Sequence, residues 1–239
     1  MAPHSPAQHL ALLLQRHQIG FYPVLNADLN GEKVARLDFT ATNQALETIE
    51  LRDTRHFTAF VQQMLAEQNA EIGIGGYLEP RVIYRRSALF AEEGERRSIH
   101  LGVDIWAEAG TSVFSPLPGV VHSFADNAHF GDYGPTLILE HTLEGTRFYT
   151  LYGHLSRSSL KGPYPGKPVR AAERFAELGP YPENGDWPPH LHFQLIADME
   201  GRAGDFPGVA APAEVAHFKA ICPDPNLILR SRHLLPMSE

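Results

Sequence analysis

The chain has 239 residues, 43% of them hydrophobic and 20% charged, with a formal net charge of −8; this length accommodates one large globular domain or a domain with an extension. Acidic and basic residues are interspersed without a basic stripe, which argues against nucleic acid or anionic membrane as the main partner. The lone Cys222 excludes an intramolecular disulfide and any cysteine-rich zinc site, so a metal would have to be held by the carboxylates and the thirteen histidines.

The first residues carry no basic n-region, and the apolar run Leu10 to Leu14 ends at Gln15-Arg16-His17 without a small-residue cleavage site, so no signal peptide is read. No segment reaches the ~20 apolar residues of a membrane span. The expectation is a cytoplasmic protein, with export by an unrecognised route left open, and the oligomeric state is not indicated.

Ala7 to His17 reads as a short helix. Phe21 to Leu25 and Val34 to Thr40 read as strands, with Asn30-Gly31 between them where a hairpin could turn. Asp53 is positioned to cap a helix whose residues Phe57, Phe60, Val61, Met64 and Leu65 recur at helical spacing, a stripe that signals core packing. Gly73-Ile74-Gly75-Gly76 reads as the end of that helix, and it lacks the third glycine of a dinucleotide fingerprint. Glu79, Arg81, Tyr84, Arg85 and Arg86 form a polar and aromatic cluster ahead of the charged run Glu92 to Arg97, which reads as a solvated connection.

From Ser98 the texture changes to short β-prone segments separated by Gly and Pro: Val113-Phe114, Gly119 to Phe124, Thr136 to His141, Arg147 to Leu155, Val169 to Ala172 and His190 to Ala197. The Pro- and Gly-rich tail from Gly201 is expected to wrap over the core.

The candidate chemistry lies in three of these segments. In Pro189-His190-Leu191-His192-Phe193-Gln194, strand alternation turns Leu191, Phe193 and Leu195 towards a core and His190, His192 and Gln194 to the opposite face, outside the core. In His100-Leu101-Gly102-Val103-Asp104, positions i and i+4 of an extended segment share a face and Gly102 permits close approach. With one histidine of the His-x-His strand they make a three-ligand set of net charge −1, such as catalytic zinc takes while leaving a fourth position to water. In Tyr149 to Leu155, alternation sends Tyr149, Leu151 and Leu155 to the core and Thr150, Tyr152 and His154 to the cleft. His122, His129 and His141 have no partner in the sequence and read as structural.

Together, His100-x-Gly102-x-Asp104, Gly110-Thr111 to Gly119-Val120, Tyr152-Gly153-His154-Leu155-Ser156 and Pro189-His190-Leu191-His192-Phe193 resemble the motifs of the lysostaphin-type, or LytM-like, zinc metallopeptidases, which cleave peptide bonds in bacterial peptidoglycan. The resemblance covers about residues 98 to 197. It implies that His100, Asp104 and His192 hold one Zn2+ per chain and that His154 and His190 are unliganded catalytic histidines. The fold it implies is mainly β, an antiparallel β-sheet, sandwich-like core over residues 98–200, here with a small α+β extension at 1–97 and a tail at 201–239 packing on the core. The chain departs from the family pattern in the loop Asn184-Gly185-Asp186-Trp187-Pro188-Pro189 and in Gln194, where most members carry Glu.

The activity expected is hydrolysis of peptide bonds, in peptidoglycan fragments or other short peptides. With no His-Glu-x-x-His helix to supply a glutamate base, His190 or His154 takes the water's proton and the other stabilises the oxyanion. Tyr152, Gln194 and, from the extension, Tyr84 and Arg85 are candidate substrate contacts, and the extension is a candidate lid. Three rivals are a zinc hydrolase of a small amide unrelated to the cell wall, a non-catalytic metal-binding module, and a two-histidine phosphocarrier. The carrier would have no use for Asp104.

Overall fold

The computed structural model describes residues 5–17, 20–91 and 96–235. Residues 92–95, within the charged run read as a solvated connection, lie outside the described residues. Helix α1 (Pro6–Arg16) begins on a capping box in which Ser5 and Gln8 satisfy each other's backbone N–H groups. Helix α2 (Thr54–Glu67) is capped as expected by Asp53, whose carboxylate accepts from Arg55 N and His56 N.

In chain order the strands are β1 (Val34–Arg36), β2 (Ile72–Gly75), β3 (Ile99–His100), β4 (Val103–Trp106), β5 (Ser112–Phe114), β6 (Gly119–Asn127), β7 (Gly134–Leu143), β8 (Thr146–Gly153), β9 (Pro168–Val169), β10 (Arg174–Glu177), β11 (His190–Ile196) and β12 (Val209–Ala210). Eight of them form one sheet in the order β1-β2-β4-β11-β8-β7-β6-β9. Every pair in it is antiparallel except β1–β2. The fold is thus mainly β. On one face of the sheet, Val103, Ile105, Leu191, Phe193 and Leu195 pack in a core that also holds Val113 and Ala176 of the β10–β5 pair, so two β layers enclose it.

The opposite face, which carries His190, His192 and Gln194, was expected to lie outside the core. All three are buried instead, Gln194 completely. The reason is a second apolar cluster laid over that face, in which Phe57 of α2 joins Phe39, Tyr84, Phe90, Trp106 and Trp187. The stripe on α2 therefore finds its partner above the histidines, with Phe39 tilted against Trp106 at 4.8 Å and Phe57 edge-on to Trp187 at 6.2 Å.

Several elements differ from expectation. Phe21 to Leu25 is not a strand; Pro23 has no N–H to donate, and only Leu25 bridges the sheet residue Val113. Asn30-Gly31 turns no hairpin. Asp28 closes a local turn there by accepting from Asn30 N and Gly31 N, and the partner of β1 is β2, in parallel. The strand at Val34 stops at Arg36 because the Asp38 carboxylate accepts from Thr40 N and Thr42 Oγ1 and bends the chain. Gly73 to Gly76 does not merely end a helix: Ile72–Gly75 is β2, and it joins β4 of the main sheet. Strands from ahead of residue 98 therefore continue the sheet that carries the histidines. The tail adds β12, helix α3 (Val215–Ile221) and helix α4 (Asn226–Leu229), with Val209 paired to His100. Among the described residues no helix is long and apolar enough to cross a membrane.

Candidate metal centre

One row of paired residues runs across four strands: Gly75 opposite Asp104, Asp104 opposite His192, His192 opposite Gly153. Residues in register share a face, so Asp104 and His192 meet because of strand pairing, and glycines flank them on both sides. His100 comes from β3, which Leu101-Gly102 separates from β4. The segment is thus two short strands rather than one. His100 Nε2 lies 3.2 Å from Asp104 Oδ1 and 3.0 Å from His192 Nδ1, and His192 Nδ1 lies 3.1 Å from the same Asp104 oxygen. Gly102 is required at the bend, since a Cβ there would fall 2.6 Å from His192 Cε1 and 2.8 Å from Phe193 O.

Hydrogen bonds on the far side of each ring decide what faces inward. His100 Nδ1 donates to Gly76 O at 3.0 Å. His192 Nε2 donates to Gln194 Oε1 at 2.9 Å, and Gln194 is oriented in turn because its amide donates to Pro207 O at 3.1 Å. Both ring N–H groups are spent. His100 Nε2, His192 Nδ1 and Asp104 Oδ1 are therefore three bare acceptors in mutual contact with no proton among them, a repulsive arrangement unless a cation sits between them. The donor set of two imidazoles and one carboxylate fits zinc. Among the described residues it is the one group of three or more such donors, with all ligand atoms within 4.8 Å of one another.

Charge reinforces the fit. Burial pushes the His100 imidazolium pKa down to about 4, with the Arg81 guanidinium adding to it, so the ring is neutral and able to ligate. Burial alone would raise the Asp104 carboxyl, but His100 and Arg81 hold it well below the usual carboxylate range.

His154 and His190 stand beside this group with ring centroids 4.1 Å apart. His190 donates from Nδ1 to Pro188 O at 2.7 Å and stacks on Trp106 at 5.4 Å. His154 donates from Nδ1 to Asn184 O at 2.8 Å, so the loop that departs from the family pattern is what orients it. Both rings keep a bare Nε2, and that of His190 lies 3.8 Å from Asp104 Oδ2. Burial lowers both imidazolium pKa values, that of His154 strongly, with His190 as its second cause.

Alternation does not bring His154 there. Tyr152 pairs with Phe193 and packs against Phe193 and Phe175 on the apolar face. His154, two residues on, reaches the histidine face because its φ is +61°, a left-handed conformation that costs about 1–2 kcal/mol outside glycine. Tyr152 is accordingly removed from the candidate substrate contacts, and Leu151, opposite Gln194, lies on the histidine face but is packed in an apolar cluster with Leu101, Ile138 and Ile196. Gln194 lies behind His192 rather than in the cleft. Arg85 is exposed and donates to Leu46 O on the outer side. Tyr84 alone of the four lines the pocket.

That pocket has a volume of about 360 Å³ above His154, His190 and His192, walled by Tyr84, Phe90 and Arg97 from ahead of residue 98 and by Phe206 to Val209 from the tail. Two residues beside the site were not among the candidate site residues of the sequence reading, one in the pocket wall and one behind Asp104. Tyr133 lines the pocket with its hydroxyl 3.4 Å from His192 Nε2, and no motif marked it. Arg81, fully buried, donates to Asp104 Oδ2; its signal was the Glu79-x-Arg81 spacing, which sets both side chains on one face of an extended segment.

Residues 98–204 match the model of peptidase family M23. No curated protein matches the chain. Among solved structures, a zinc-containing peptidase from Vibrio cholerae is 26% identical, with 42% of this chain and 28% of that one covered and a TM-score of 0.32. The catalytic domain of the antimicrobial peptidase lysostaphin from Staphylococcus simulans is 22% identical over 51% of this chain and 80% of that one, with a TM-score of 0.36. Csd3 from Helicobacter pylori is 24% identical over 47% and 28%, with a TM-score of 0.33. The chain thus spans between a quarter and a third of the Vibrio and Helicobacter proteins. His100, Asp104, His154, His190 and His192 all lie inside the segment, residues 98–204, that matches peptidase family M23, and this segment is the one whose motifs resemble the lysostaphin-type peptidases.

Proposed function

We propose that the chain is a zinc-dependent peptidase that hydrolyses amide bonds in short peptides, including fragments of peptidoglycan, with one zinc held by His100, Asp104 and His192. The observation that carries this reading is the meeting of His100 Nε2, His192 Nδ1 and Asp104 Oδ1 with no proton to share. When bound there, zinc supplies Lewis acidity towards the scissile carbonyl and makes water nucleophilic near neutral pH. His154 and His190 each accept a proton at Nε2, because Nδ1 of each is committed to a backbone carbonyl. The one that takes the water's proton becomes a donor to the developing oxyanion or the departing amine. Trp106 and Trp187 keep bulk water from the pair and fix the rings.

The walls of the pocket support the substrate class. A pocket of about 360 Å³ closed on one side by the extension and on the other by the tail suits a short peptide better than a polymeric sheet. Arg97, Arg202, Asp132, Asp205 and Glu214 line it with both signs of charge, which suits the two charged ends of such a peptide. Residues 1–97 act in this reading as a fixed cover on the 98–200 core. The test is metal analysis of the purified chain followed by product analysis on a mixture of short peptides and on intact peptidoglycan, with Asp104→Ala as control. Zinc-dependent cleavage of the peptides that is faster than release from the polymer is expected. A chain that binds no zinc would overturn the reading.

A further inference from the structure

Arg81 lies outside the family-matched residues 98–204, yet it touches the metal-binding group. Its segment is pinned by backbone bonds along the strand that carries His100: Leu78 N to His100 O at 2.8 Å, His100 N to Glu79 O at 3.0 Å, Arg81 N to Ser98 O at 2.8 Å. The side chain is wholly buried. Its Nη1 donates to Asp104 Oδ2, its Nε donates to Glu79 Oε2 at 2.7 Å, and its guanidinium lies 5.5 Å from the Trp106 ring and 5.7 Å from that of Phe39. The fit depends on Gly75, where a Cβ would fall 2.7 Å from Arg81 Nη2. Glycine at this position in β2 makes room for the arginine.

We infer that Arg81 is a positioning residue of the metal centre: held by Glu79, it occupies Asp104 Oδ2, so that Asp104 offers a bound metal only Oδ1 and the fourth coordination position stays open. The inference rests on the zinc-peptidase reading. The two carboxylate oxygens already have separate partners, since Oδ1 faces His100 Nε2 and His192 Nδ1 while Oδ2 faces the guanidinium. A carboxylate with one oxygen fixed by a charge-assisted hydrogen bond cannot swing to bind through both. Without the arginine Oδ2 is free to do so, which would fill the position that water or substrate needs.

The test uses the full chain loaded with zinc or with cobalt(II). In wild type, four-coordinate cobalt is expected to give intense visible absorption. Arg81→Met is expected to lower zinc affinity about 10–100-fold, the range for lost partners of metal ligands, and to weaken the visible bands towards those of a five-coordinate ion. Arg81→Lys should recover part of both. Zinc affinity within threefold of wild type together with an unchanged cobalt spectrum in Arg81→Met would overturn the inference while leaving the zinc reading intact; wild type that binds neither metal would remove that reading itself. Should Arg81→Met not fold, Glu79→Gln decides the matter. It leaves the arginine in place without its anchor and is expected to give a smaller loss with the same spectral change, and no change in either readout overturns the inference.

Discussion

His192 and Gln194 stand two residues apart on one face of β11, and the 2.9 Å bond between His192 Nε2 and Gln194 Oε1 decides which imidazole nitrogen faces Asp104. Gln194 is held in turn from the tail, where Pro207 O accepts its amide N–H at 3.1 Å and Cys222 Sγ accepts at 3.6 Å. Gln194→Leu removes the acceptor and frees the ring to flip or change tautomer. Zinc affinity is expected to fall about 10–100-fold with secondary structure retained, as measured by chelator competition and far-ultraviolet circular dichroism. Gln194→Glu keeps the acceptor but sets a carboxylate against Pro207 O, so it should retain zinc better than leucine while loosening the tail. Equal zinc affinity in wild type and Gln194→Leu would show that His192 is oriented by something else.

Metal binding and turnover should separate by residue. Alanine at His100, Asp104 or His192 removes one of three donors, and zinc should be lost from each single variant. Alanine at His154 or His190 leaves the three donors intact, so zinc stays while turnover falls by a factor of ~10²–10⁴. Elemental analysis beside initial rates on a cleaved peptide checks both halves. Full zinc in His192→Ala, or full rate in His154→Ala, would remove that residue from its role.

How much of this was legible in the sequence depended on how local each feature is. Alternation within His190 to Gln194 is set by the pleat alone, so the face shared by His190, His192 and Gln194 could be read directly. The approach of His154 could not be derived from the same rule, because its φ of +61° breaks alternation two residues after Tyr152. Gly73-Ile74-Gly75-Gly76 looked like a stop signal because glycine ends helices. Its use as a strand that leaves space for Arg81 and Trp106 is a matter of pairing with residues thirty positions away. Burial of the histidine face was hidden for the same reason: the stripe on α2 declares that it packs, but not against what.

Because β2 pairs with β4 through Gly73–Trp106, Ile74–Ile105 and Gly75–Asp104, a chain starting at Ser98 would leave β4 as an unpaired edge carrying Asp104. It would also strip Phe39, Phe57 and Tyr84 from Trp106 and Trp187. Exposed edges of this kind aggregate. Such a chain is expected to be insoluble or to lack a cooperative thermal transition, and to bind zinc poorly for want of Gly76 O and Arg81. A shortened chain with the melting temperature and zinc content of the whole would mean that the extension is dispensable to the sheet.

His141 gives a pH dependence that lies away from the metal. Its Nδ1 donates to Pro118 O at 2.9 Å and its Nε2 accepts from Thr150 Oγ1 at 2.8 Å, with the side chain buried. Burial pushes its pKa down to about 4 from 6.5, against the smaller opposing effect of the Pro118 bond. Between those values the unfolded chain binds a proton that the folded chain refuses, so unfolding free energy rises with pH across the window and falls as the solution is acidified. The contribution is fully present above pH 6.5 and lost as pH drops towards 4. Its full size is about 3 kcal/mol at ~1.4 kcal/mol per unit. His141→Gln keeps a donor and an acceptor without the titration. Zinc-loaded wild type and His141→Gln, unfolded in urea at pH 7, 6, 5 and 4.5, should therefore diverge in slope by up to ~1.4 kcal/mol per pH unit, with wild type the steeper. Parallel curves over that range would mean that the buried imidazole protonates without resistance and that the Thr150 bond does not hold it neutral.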